Sequence, residues 1–131
     1  MTTRASARTT HCPKADARKR VVDARAFLLT AQAADNNDVI ATNAIHAAIA
    51  ASDVICCLAL GERSSSSSHA DAVKLLRRVS ATHANTLKRC LDLKTKAAYE
   101  STDVSTKDAA RAVRNAETLV DAADEAMLAA G

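Results

Sequence analysis

Residues 38–60 read DVIATNAIHAAIAASDVICCLAL, and this stretch decides the fold. Ile40, Ile45, Ile49, Val54, Ile55, Leu58 and Leu60 are spread around the whole circumference of a helix. A helix that is apolar nearly all round belongs in the middle of a bundle. Alanine fills most of the remaining positions, so neighbouring helices can approach closely and little room is left for an internal ligand. Three polar residues interrupt the pattern. At 100° per residue Asn43, His46 and Asp53 fall on one side, and His46 and Asp53 are two turns, about 10 Å, apart. They cannot touch. Each is expected to bond a neighbouring helix or to face a partner, and His46 and Asp53 are kept as candidate binding residues.

The rest of the chain agrees with an all-α reading. The 131 residues suit one domain. They include two Gly, one Pro, one Phe, one Tyr and no Trp. That composition favours helices. Residues 1–12, MTTRASARTTHC, lack periodicity and read as a disordered basic arm. Pro13 opens a helix whose stripe is Val21, Ala24, Leu28 and Ala31, with Val22 and Leu29 broadening it. Asp35-Asn36-Asn37 form a turn. A short helix is expected over about 69–80 and a longer one over about 83–100, with Leu87, Cys90, Leu91, Ala97 and Ala98 inward. Lys94 projects into that stripe. Ser105 and Asp108 form a capping-box-like start to the last helix. Its Arg111, Arg114, Glu117, Asp121 and Asp124 lie outward. Short loops favour antiparallel neighbours, so the expected architecture is an up-down antiparallel bundle of four long helices plus one short helix over residues 13–131.

Charge is uneven. Residues 1–25 hold seven Lys/Arg against two Asp, and residues 63–96 hold eight against two. The segments 26–62 and 97–131 are net acidic. Two basic blocks are compatible with an anionic partner, and equally with charge pairing inside a bundle or across a dimer. The four cysteines show no CxxC pair and no zinc-ligand spacing, so no metal or other cofactor is expected. They read as reduced core thiols of a cytoplasmic protein. No run of 18 apolar residues and no signal-peptide segment occurs, so no membrane association is expected. Phosphate-binding glycine loops, dinucleotide fingerprints and metalloprotease spacings are absent.

The order of a small-rich central helix with an internal Asp, a loop ending in His, a short amphipathic helix and then KTKAAYESTDVSTKDAARAV (94–113) resembles the HEPN superfamily of small helical domains. The similarity covers about residues 20–125. The resemblance implies one of two roles. Many HEPN domains are metal-independent ribonucleases of toxin–antitoxin, defence or RNA-processing systems. They use Arg-x(4–6)-His, with two subunits pairing their motifs. Others lack the motif and bind RNA, a nucleotide or a protein. At the matching place this chain has Lys94-x4-Tyr99. A Tyr hydroxyl titrates near pH 10, far from the range in which imidazole exchanges protons, so ribonuclease activity is disfavoured there. Lys94, Lys96 and Tyr99 remain candidates to hold a phosphate or a base.

A second match is Arg63-x5-His69, across LGERSSSSSHADAV (60–73). Its guanidinium could stabilise a phosphorane-like charge and its imidazole move a proton. Five serines are a pliable frame for catalysis, however, and Ser68 suits the N-cap of the next helix. The stretch is either a hinge or a catalytic pair. The expected function is therefore a non-catalytic, dimeric bacterial module binding RNA, a nucleotide or a protein in a stress, defence or toxin–antitoxin setting. A ribonuclease using Arg63 and His69, or a helical protein–protein adaptor, are the alternatives.

Overall fold

A computed structural model describes residues 8–93 in full, the backbone of 94–100, and residues 103–131. The chain is predominantly helical. In order it runs β1 (Thr9–His11), α1 (Lys14–Ala33), α2 (Asn37–Leu60), β2 (Glu62–Ser64), α3 (His69–Arg77), α4 (Ala81–Glu100) and α5 (Thr106–Ala130). α2 is the hub: it packs most extensively on α1 and α5, and also touches α3 and α4. Ile45, Val54, Leu76, Leu87 and Leu119 are the large side chains at the centre. Ala44, Ala47, Ala48, Ala50 and Ala51 of α2 are wholly buried between them. α2 is long and apolar enough to cross a membrane by length and composition, but 67% of its most apolar window is buried within the fold.

Local chemistry fixes the helix ends. Asn36 caps α2, its side-chain oxygen accepting from the N–H groups of Asp38 (2.9 Å) and Val39 (3.1 Å). Gly61 closes α2 in the left-handed region at φ 70°, its N–H donating to the Cys57 carbonyl. The Ser105 hydroxyl accepts from the Asp108 N–H at 3.0 Å and starts α5. Asp38 also accepts from the Val104 N–H at 2.9 Å, which ties the entry to α5 onto the start of α2. The expected Ser68 cap is not made. Its side chain makes no cap bond, and its N–H donates instead to Ser66 Oγ at 3.0 Å.

The N-terminal segment departs from the expected arm. Residues 1–7 lie outside the described residues, but Thr9–His11 pair antiparallel with Glu62–Ser64, with Thr10 opposite Arg63. Helices α1 and α2 are joined by a short turn, so the start of α1 returns beside the end of α2, and the two flanking segments meet there. Cys12 donates its N–H to the Gly61 carbonyl at 2.8 Å. Cys12 and Cys57 then form a disulfide, with Cα atoms 5.1 Å apart. The expectation of four reduced thiols fails at these two residues. It failed because no spacing in the sequence links cysteines that only the tertiary fold brings together. Cys56 and Cys90 are buried free thiols, as expected. Burial pushes both up to about 12, with the Asp53 charge adding to the effect at Cys56, so they stay protonated and inert.

Val22 and Leu29 also depart from expectation. They do not widen the buried stripe of α1 but stand 60% and 67% exposed. The buried residues of α1 are Ala17, Val21, Ala24 and Ala31, a narrow face matched to the alanines of α2.

The disulfide spans a sequence separation of 45 residues. A loop of that size gives about 4 kcal/mol in the chain-entropy account. Urea unfolding with and without reductant should show a loss of about 3–4 kcal/mol on reduction, with helix content unchanged before the transition. Superimposable curves would show that the cross-link does not constrain the unfolded chain.

Candidate anion-binding face

The polar residues of α2 have distinct fates. Asn43 donates to the Val39 carbonyl of its own helix at 2.9 Å. His46 is exposed and lies against Phe27 of α1, ring centroids 5.3 Å apart and planes tilted by 31°. Asp53 is buried and accepts two hydrogen bonds from Arg20 of α1, from Nε at 3.2 Å and from Nη2 at 2.6 Å. Burial pushes the Asp53 carboxyl up. The hydrogen bond and charge of Arg20, and then the charge of Arg63, pull it back without cancelling the shift. Asp53 is thus an internal tie between α1 and α2 rather than a group presented to a ligand. Arg20 was not legible as its partner, because α1 carries several basic residues and the ion pair joins positions 33 apart.

No hydrogen bond among the described residues joins Arg63 to His69, although β2 and α3 are in contact. Arg63 sits in β2, half-buried, donates to the Ser64 carbonyl at 3.5 Å, and its charge acts on Asp53. His69 is exposed at the start of α3 and opens onto a groove between α3 and α4. The serine stretch is not a featureless hinge either, since Ser64 is strand and Ser66 accepts from Ser68. The side chains of Lys94, Lys96 and Tyr99 lie outside the described residues. No group of three or more His, Cys, Asp or Glu among the described residues is arranged to hold a metal ion.

A concentration of like charge lies elsewhere. α4 lies between α3 and α5, and each junction is a basic groove. The α3–α4 groove, of about 320 Å³, is lined by His69, Val73, Lys74, Arg77, Lys88 and Leu91. The α4–α5 groove, of about 380 Å³, is lined by Arg89, Leu93, Arg111, Arg114 and Asn115. Asp92 stands on the ridge between them and lines both. It is paired with Lys88 at 2.9 Å. Arg77 is steadied by the Asn85 carbonyl oxygen at 3.1 Å and Arg89 by the Thr86 hydroxyl at 3.3 Å. Arg111 lies 3.7 Å from Asp108. Among the described residues six cations against two carboxylates leave the pair of grooves net positive, with apolar side chains lining each. Such a surface draws anions and orients them by guanidinium forks.

Four of these six cations fall in a basic block that the sequence already shows. The basic block 63–96 supplies Lys74, Arg77, Lys88 and Arg89. Arg111 and Arg114 come from an otherwise acidic segment and were taken only as outward charges. Their convergence with Arg89 depends on α4 and α5 packing side by side.

Arg20→Met should cost about 3–5 kcal/mol, because it strands a buried carboxylate. The double variant Arg20→Met, Asp53→Leu should recover much of that loss. The pH dependence has a definite sign. The folded-state value of Asp53 is raised above 3.8, so its contribution to stability is full below 3.8 and is lost as pH rises through the folded value. The difference in unfolding free energy between the parent and Asp53→Asn should therefore fall as pH rises above 3.8. A difference that grew with pH would mean that the Arg20 bonds outweigh burial.

No protein-family model, curated protein or solved structure matches this chain.

Proposed function

We propose that this chain is a non-catalytic, HEPN-like up-down bundle that binds single-stranded RNA along the paired grooves flanking α4. The observation that carries the reading is the juxtaposition of two net-positive grooves, with Lys74, Arg77 and Lys88 on one side of α4 and Arg89, Arg111 and Arg114 on the other. Phosphate contacts by such residues dominate affinity for nucleic acid and need no catalytic group. The Tyr99 that stands where the ribonucleases of the resembled family have His favours binding over cleavage. The resemblance supplies the proposed setting, a bacterial stress, defence or toxin–antitoxin system.

A homodimer or adaptor role has its own supporting observation. Val22, Ala26 and Leu29 are exposed on one face of α1, remote in sequence from the basic grooves. The proposed cytoplasmic location has to accommodate the Cys12–Cys57 bond, since such cross-links persist mainly in oxidising compartments. A mass measurement of alkylated thiols in intact cells separates the two: protection of Cys12 and Cys57 marks an oxidising location, and labelling of both marks the cytoplasm.

Fluorescence anisotropy with a short single-stranded RNA should show binding that weakens as salt rises, with a log–log slope of about −3 for four phosphate contacts. Lys74→Glu with Arg77→Glu should lower affinity about tenfold or more at low salt, with helix content retained and the RNA left intact. Salt-independent binding, or affinity untouched by the reversal, would contradict this reading.

A further inference from the structure

The two grooves differ in a way that assigns them different ligand groups. In the α3–α4 groove two of the three permanent cations are lysines, and Lys88 is already paired with Asp92. Among the described residues of the α4–α5 groove the three cations are arginines, delivered by two helices: Arg89 from α4, Arg111 and Arg114 from α5. Arg114 makes no ion pair among the described residues. Among the described residues Arg89 donates to a neutral hydroxyl, and Arg111 meets Asp108 at 3.7 Å. Asp92 on the ridge is engaged by Lys88. At about 380 Å³ the groove is the size of a small-molecule pocket. Leu93 and Asn115 also line it among the described residues.

Guanidinium forks match phosphate oxygens two at a time, and lysine acts as a point charge. A terminal phosphate monoester carries close to two negative charges near neutral pH and three free oxygens. An internal diester carries one charge and two free oxygens. Three convergent forks therefore discriminate in favour of the monoester. We propose that the α4–α5 groove is a terminal-phosphate pocket that holds the phosphorylated end nucleotide of an RNA strand. The phosphate sits among Arg89, Arg111 and Arg114, and the nucleoside lies against Leu93 within reach of the Asn115 amide. The strand's diester backbone then follows the α3–α4 groove. This inference rests on the RNA-binding reading and adds a selectivity that the reading does not require.

The test compares one RNA sequence in three forms, with a 5′-phosphate, with a 3′-phosphate, and with hydroxyls at both ends, by anisotropy on the full chain. At least one phosphorylated form should bind about tenfold tighter than the hydroxyl form, and the form that does so identifies which end is held. Arg111→Gln with Arg114→Gln should abolish that preference; because both arginines also belong to the RNA-binding grooves, hydroxyl-ended RNA should weaken too, but less than the preferred phosphorylated form, so that all three forms come to bind alike. A melting curve and helix content matching the parent establish that the variant is folded, and Arg114→Gln alone, which breaks no described ion pair, should weaken the preference in the same direction. Equal binding of all three forms overturns the pocket and leaves the RNA-binding reading standing. No binding of any form overturns both.

Discussion

Close packing of small side chains around α2 governs the rest of the molecule. Ala44, Ala47, Ala48, Ala50 and Ala51 are wholly buried, so α1 and α5 can lie against α2 with little side-chain volume between them. Close-packed helices of this kind gain from many dispersion contacts and leave no internal space for a ligand. The basic grooves lie at the periphery, where α4 meets α3 and α5, contacts much less extensive than those of α2 with α1 and α5.

A core of small residues also buries less apolar area per residue than one of leucine and phenylalanine, and burial is the main favourable term. Specific ties complement it at the α1–α2 junction. Arg20 and Asp53 join the two helices by a charge-assisted pair. The β1–β2 ribbon and the Cys12–Cys57 bond join their flanking ends. Arg25 of α1 pairs with Asp124 of α5, and Gln32 donates to Glu117 at 2.9 Å. The buried pair gives register more than net stability, because desolvating two charges opposes their attraction.

Much of the fold was legible in the residues because it is written locally. Asn36, Gly61 and Ser105 mark helix ends through bonds to groups within a few positions, and the all-round apolar pattern of 38–60 marks the hub. What was not legible depends on distant partners. Three-residue polar strands carry no period of two, so Thr9–His11 passed for a featureless arm. Cys12 and Cys57, and Arg20 and Asp53, are pairs that only the α1–α2 hairpin brings together. Val22 and Leu29 fit a helical stripe by spacing and yet face outward, because a narrow alanine face suffices to seat α1 on α2.

The candidate site shows the same division. The basic block 63–96 was compatible with an anionic partner or with charge pairing, and it supplies Lys74, Arg77 and Lys88 of the α3–α4 groove. Arg63 and His69 attracted notice by spacing alone. The fold turns one toward the interior ion pair and the other toward the groove. Arg111 and Arg114 sit in a net acidic segment, where local charge counting conceals them. Their role follows from the helix they face.

The central claim is that RNA lies across α4, and mapping the contact by backbone NMR shifts on titration with a short single-stranded RNA tests it most directly. The account predicts shifts concentrated at Lys74, Arg77, Lys88, Arg89, Arg111 and Arg114, with Val22, Leu29 and the β1–β2 ribbon unmoved. Shifts centred on Arg63 and the ribbon, or on the exposed face of α1, would contradict it.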